Sequence, residues 1–166
     1  LENADVPVIV DADGINIIAS DISILQRAKC KLVLTPHPKE MSRLCGKPVE
    51  VILSDTVGCA RAFSEEHGVY LVLKGANTVV TEPESKRAYV NASGNNGLSK
   101  GGSGDVLAGL IGGISVQEFS LADALTVSVY IHGHTADVLS ERMSRTGMLP
   151  SDVVSEFVRV FKFFEK

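Results

Sequence analysis

Apolar residues along this chain come in two patterns, short unbroken runs and longer stretches at helical spacing. Val6–Val10, the CKLVLTP segment ending at Pro36, and Val69–Leu73 are unbroken runs, as expected of strands buried in a parallel sheet. Gly14 to Ser20 reads as a short helix after the first run. From Pro48 to His67 the apolar residues Val51, Ile52, Val57, Ala60 and Phe63 recur at helical spacing, with Gly68 as a stop, which predicts one helix. TVVTEPESKRAYVN predicts a β-hairpin turning at Glu82 to Ser85. Three helices follow, one ending near Gln117, one from Leu121 to Arg142 and one from Ser151 to Phe164. Strands alternating with helices define an α/β layer fold with a largely parallel sheet, to which the hairpin adds antiparallel pairing. No repeat, low-complexity tract or linker interrupts it, so the chain reads as one domain or part of one.

Ligands of such sheets bind beyond the C-terminal ends of the strands. Asp11 and Asp13, the segment Thr35-Pro36-His37-Pro38, and Lys74–Thr78 all fall at such ends. For Asp13, capping of the next helix and a polar contact to substrate or to Mg²⁺-bound water are both open. His37 is held between two prolines, which suits hydrogen bonding to a ligand; the alternative is a turn residue paired with Glu40. Lys74 offers a point charge for a phosphate and Thr78 a hydroxyl.

The most informative stretch is Gly94 to Gly109, where six glycines fall in sixteen residues and an aspartate, Asp105, opens an apolar helix. Glycine permits positive φ and close approach of backbone to ligand, and a helix start presents unpaired N–H groups to an anion. A carboxylate there would repel a phosphate unless it takes a proton from a hydroxyl attacking that phosphate, so the stretch points to phosphoryl transfer. The spacing is not that of a P-loop, because Lys100 precedes Gly101, nor that of a dinucleotide fingerprint, because Leu107 stands where a third glycine belongs. The plainer alternative is a flexible loop with Ser103 as the helix N-cap.

Three features narrow the class. The 166 residues are 45% hydrophobic and 22% charged, enough apolar content for a core. A formal net charge of −4 argues against nucleic acid or an anionic membrane as partner, and no apolar run is long enough to span a bilayer. Cys30, Cys45 and Cys59 are odd in number and far apart, which suits reduced thiols in the cytoplasm. His132-Gly133-His134, with Asp137 nearby, resembles a metal motif, but helical residues two apart do not share a face, so no metal ligand is assigned. The phenylalanines Phe157, Phe161, Phe163 and Phe164 read as cover for the sheet or an oligomer contact.

TPHPKEMSRL at Thr35–Leu44, LKGANT at Leu73–Thr78 and GGSGDVLAG at Gly101–Gly109, in this order, resemble the NAD(P)H-hydrate dehydratases of the ribokinase-like superfamily. Departures at Lys39 and Asn96 concern loop geometry. The resemblance implies a ribokinase-like three-layer α/β fold and a lyase that restores hydrated NADH or NADPH (NADHX or NADPHX). ADP or ATP would be the co-substrate, ADP being converted to AMP and phosphate with Mg²⁺ present. It assigns Asp105 as catalytic base and substrate contact, and His37 as substrate contact. Lys74, Gly75, Ala76, Asn77, Thr78 and Gly104 become nucleotide contacts, with Asn95, Gly101, Gly102 and Ser103 supporting the anion loop. It further implies a cytoplasmic homo-oligomer. Because the family's domain is considerably longer, residues 1–166 are expected to be the C-terminal part of one such domain, with apolar surface exposed when isolated. Two alternatives remain: a ribokinase-like kinase of a vitamin-precursor alcohol, and a nucleotide-binding module without catalysis.

Overall fold

The computed structural model describes residues 1–165. It forms two compact units, Leu1–Val90 and Asn91 onward.

The first unit is built on a five-stranded sheet in sequence order: β1 (Val8–Val10), β2 (Leu32–Leu34), β3 (Tyr70–Leu73), β4 (Val79–Thr81) and β5 (Ala88–Val90). β1, β2 and β3 run parallel, while β4 and β5 are antiparallel additions. The strands β2 and β3 are buried throughout, which accounts for their unbroken apolar sequences. β1 departs from the expectation of a buried strand. It is shorter and half-buried, and Val6 is 60% exposed, because among the described residues β1 stands at the edge of the sheet beside β2.

Five helices accompany this sheet: α1 (Asp13–Ser20), α2 (Ile24–Arg27), α3 (Pro38–Cys45), α4 (Val49–Ser54) and α5 (Thr56–His67). The predicted single helix from Pro48 to His67 is two helices. Asp55 leaves helical geometry and its carboxylate accepts from the Gly58 N–H at 2.8 Å, so it caps α5 and ends α4 while the apolar spacing runs on. The single-turn α2 carries no periodic signal and is not legible in the sequence.

The core of the unit includes Ile15, Leu34, Met41, Ile52, Leu71 and Leu73. Leu71 is fully buried on the central strand. Leu71→Ala is expected to cost about 2–5 kcal/mol of stability, the usual range when a cavity is left in a core. Denaturant titration checks this, and a loss below about 1 kcal/mol would show that the site collapses around the smaller residue.

The second unit is helical: α6 (Ser103–Ser115), α7 (Leu121–Ser140) and α8 (Pro150–Phe164), preceded by a 3₁₀ turn at Asn96–Leu98. Ser120 caps α7 by accepting from the Asp123 N–H at 3.1 Å, and Pro150 opens α8 where its missing N–H costs nothing. Phe157 and Phe161 pack into the small core formed by Leu110, Ile114, Ala124, Ile131 and Val160, whereas Phe163 and Phe164 are largely exposed. An apolar groove of about 920 Å³ lies among these three helices, lined in part by Leu110, Ile114 and Phe157. Among the described residues, no helix is long and apolar enough to cross a membrane.

Candidate active site

In the first unit, parallel pairing sets the ends of β1, β2 and β3 side by side, and the polar residues after them meet. Lys74 Nζ lies 2.6 Å from Asp11 Oδ1, with both side chains mostly buried. The Thr35 N–H donates to the Val10 carbonyl at 3.1 Å and the Lys74 N–H to that of Pro36 at 2.8 Å. The Lys74 charge is therefore neutralised by Asp11 rather than standing free. Asp11 Oδ1 also accepts from the Ala12 N–H at 2.9 Å, beside the one positive-φ residue other than glycine among those described, Ala12 with φ 49°. A non-glycine backbone so placed stores about 1–3 kcal/mol and persists where its surroundings hold it. Ala12, not Asp13, occupies the cap position of α1. Asp13 sits in the first turn, exposed and without a capping bond.

Gly75, Ala76 and Asn77 form the exposed tip of the turn joining β3 to β4. Thr78 closes it, its Oγ1 accepting from the Gly75 N–H and donating to the Gly75 carbonyl at 3.3 and 3.2 Å.

His37 performs the local role that its pairing with Glu40 suggested, and its Nε2 also lies 3.5 Å from Glu40 Oε1. Its Nδ1 accepts from the N–H groups of Lys39 and Glu40 at 3.0 and 3.3 Å, and Glu40 Oε2 accepts from the His37 N–H at 2.8 Å. This reciprocal cap starts α3. Because Nδ1 is an acceptor, the hydrogen of the neutral ring sits on Nε2, on a half-exposed side chain.

In the second unit the glycine-rich stretch is fastened at several points. The Asp137 carboxylate accepts from the Gly94 N–H at 2.7 Å and from Asn95 Nδ2 at 2.9 Å. Asn95 Oδ1 accepts from the Gly97 N–H at 3.0 Å, and Gly97 is buried under Met148. Lys100 Nζ donates to the carbonyls of Thr146 and Met148, so this lysine ties the stretch to the segment before α8. Gly101 is exposed. Gly102, not Ser103, is the N-cap of α6, with φ 92°, a left-handed conformation that glycine adopts without strain. Ser103 is the first helical residue and buried. The bonds closing this turn run from the Ser103 N–H to the Lys100 carbonyl and from the Val106 N–H to that of Gly102. Among the described residues, the N–H groups of Gly104 and Asp105 have no acceptor. The Asp105 side chain is exposed in that first turn, with no hydrogen bond or ion pair to another described residue.

Helix α7 lies against this loop. A Cβ on Gly133 would come within 2.7 Å of the Ser93 carbonyl oxygen, which explains a glycine in mid-helix. His132 is buried, whereas His134 stacks on Tyr130 with ring centroids 5.5 Å apart, so the two imidazoles face different surroundings. Burial pushes the His132 imidazole down to about 4, against an opposing hydrogen bond with the Ser103 main chain, and among the described residues its Nε2 has no partner. Above pH 6.5 the ring is neutral in folded and unfolded chains alike. As pH falls below that value, the unfolded chain takes a proton that the folded one refuses until about pH 4. Stability is therefore expected to fall by up to about 3 kcal/mol across this window. Denaturation of the full-length protein at both ends of the window, beside His132→Leu, checks it. An equal loss in the variant would place the titration on another group.

Residues 1–159 match a family model described as NAD(P)H-hydrate dehydratase. An ADP-dependent (S)-NAD(P)H-hydrate dehydratase of Neisseria meningitidis is 39% identical over 92% of this chain and 52% of its own length. A bifunctional NAD(P)H-hydrate repair enzyme of Escherichia coli is also 39% identical, over 96% of this chain and 30% of its own. The ADP/ATP-dependent NAD(P)H-hydrate dehydratase of Bacillus subtilis, co-crystallised with ATP and Mg²⁺, superposes with a TM-score of 0.87 at 31% identity, over 99% of this chain and 57% of that one. The chain thus spans about half the length, or less, of the relatives it matches. Its fold is the ribokinase-like α/β fold of these dehydratases. The chain belongs to the NAD(P)H-hydrate dehydratase family.

Proposed function

We propose that this chain carries the nucleotide-dependent dehydration of NADHX and NADPHX, with ADP converted to AMP and phosphate. The observation that carries the reading is Asp105, a carboxylate with no partner among the described residues, in the first turn of a glycine-capped helix whose N–H groups at Gly104 and Asp105 bond to none of them. The ring hydroxyl of the hydrate is a poor leaving group. Asp105 takes its proton as it attacks the terminal phosphoryl, and AMP departs. The ring-nitrogen lone pair then expels phosphate, and loss of a proton from the neighbouring carbon restores the double bond. The helix-start N–H groups stabilise charge on the moving phosphoryl.

His37 contacts the substrate through its half-exposed ring, whose Nδ1 holds α3 and whose Nε2 faces Glu40 Oε1 at 3.5 Å. The Lys74–Thr78 turn and Gly104 contact the nucleotide, with Asn95, Gly101, Gly102 and Ser103 shaping the loop. Mg²⁺ would be brought in on the nucleotide. When bound, it neutralises phosphate charge. The setting we infer is a cytoplasmic homo-oligomer in which residues 1–166 form the C-terminal part of a longer ribokinase-like domain.

The test is return of the near-ultraviolet absorbance of dihydronicotinamide from hydrated NADH, with and without ADP. Recovery that needs ADP supports dehydration. A stable phosphorylated product instead would mark a kinase, and nucleotide binding without turnover a binding module.

A further inference from the structure

The mechanism leaves Asp137 unused, and it is the residue to which the glycine stretch is tied. It lies one helical turn beyond Gly133 on α7, and the pair meets consecutive residues of the loop. A Cβ on Gly94 would stand 3.2 Å from Gly133 Cα, so the two backbones touch where glycine faces glycine. Beside that contact, each Asp137 oxygen accepts one hydrogen: Oδ2 from the Gly94 N–H and Oδ1 from Asn95 Nδ2. Both donors are neutral amides. The demand is for two acceptors side by side, which a carboxylate supplies and a carboxamide does not.

From there the bonds continue without a gap. Asn95 Oδ1 holds the Gly97 N–H, and the Asn95 carbonyl accepts from Leu98 at 3.1 Å. The Leu98 carbonyl accepts from Lys100 at 2.8 Å, and that of Lys100 from Ser103 at 3.2 Å, one residue after the Gly102 cap.

We propose that Asp137 is a positioning residue: it fixes Gly94 and Asn95 and, through this run of bonds, sets the turn that presents the Gly104 and Asp105 N–H groups and the Asp105 carboxylate. The role rests on the dehydratase reading for its catalytic consequence, and on the geometry alone for its effect on the loop. A displacement of about 1 Å at reacting groups is enough to cost up to a hundredfold in rate.

The test is an exchange of partners in the full-length protein. Asp137→Asn turns one acceptor into a donor facing a donor. Adding Asn95→Asp restores every bond: the new carboxamide accepts from the Gly94 N–H and donates to the new carboxylate, whose other oxygen accepts from the Gly97 N–H. For Asp137→Asn we expect kcat to fall about tenfold or more while the Kd for ADP stays within about threefold. The double variant Asn95→Asp/Asp137→Asn should return kcat to within about threefold of the parent. Amide hydrogen exchange at Gly94 should quicken at least about tenfold in the single variant and slow again in the double.

A single variant with kcat within about twofold of the parent, or a folded double variant that regains no activity, overturns the proposal. If the single variant fails to fold, the double decides alone: folded and active supports the role, folded and inactive overturns it. If the parent itself shows no hydrate-dependent turnover, the dehydratase reading falls and exchange at Gly94 decides the positioning role. Faster exchange restored by the swap supports that role, and unchanged exchange overturns it.

Discussion

Replacing Asp105 by asparagine in the full-length protein is expected to lower turnover at least about a hundredfold while leaving nucleotide binding intact, the lower end of what a lost general base costs. Asparagine keeps the shape of the side chain and removes its capacity to take a proton. Asp105 is exposed at the first turn of α6, and no described residue bonds to it, so the substitution breaks no structural contact. A loss of activity with an unchanged melting temperature would therefore report chemistry. Nucleotide affinity should hold or tighten, since a negative charge near the phosphates has been removed. Steady-state turnover beside calorimetric titration of ADP separates the two effects, and near-normal turnover would remove Asp105 from the mechanism.

The second large effect is expected on binding. Gly104→Val should weaken ADP or AMP affinity at least about tenfold, some 1.4 kcal/mol. Gly104 is the second residue of α6, and among the described residues neither its N–H nor that of Asp105 has an acceptor. A branched side chain there stands where an anion must approach the backbone, and the β-branch adds crowding against the first turn. Circular dichroism would show α6 retained, and calorimetry with ADP and AMP measures the loss. Unchanged affinity would place the nucleotide elsewhere on the protein.

How far these features could be read in advance depended on whether their causes were local. The strands β2 and β3 stand out because they are buried throughout, and so does the hairpin of β4 and β5, bounded by polar turn residues. The break at Asp55 was hidden because an apolar period carries through it, although aspartate three residues before Gly58 is a local capping signal. His37 as an N-cap was obscured by chemistry, since an imidazole seldom takes a place usually held by serine, threonine or aspartate.

The pairings that organise the two groups of candidate residues are long-range. Lys74 and Asp11 are 63 residues apart, and Asp137 lies 43 residues from Gly94. No periodicity announces such pairs. Asp137 stands near two histidines in the sequence, whereas its bonds are to the amides of the glycine loop.

The most direct measurement is phosphate release from ADP by the full-length protein, followed with and without hydrated NADH. Dehydration by phosphoryl transfer predicts release only when the hydrate is present, in one-to-one proportion to the NADH restored, and its loss in Asp105→Asn. Phosphate released without hydrate, or phosphate retained on a stable small-molecule product, would contradict it.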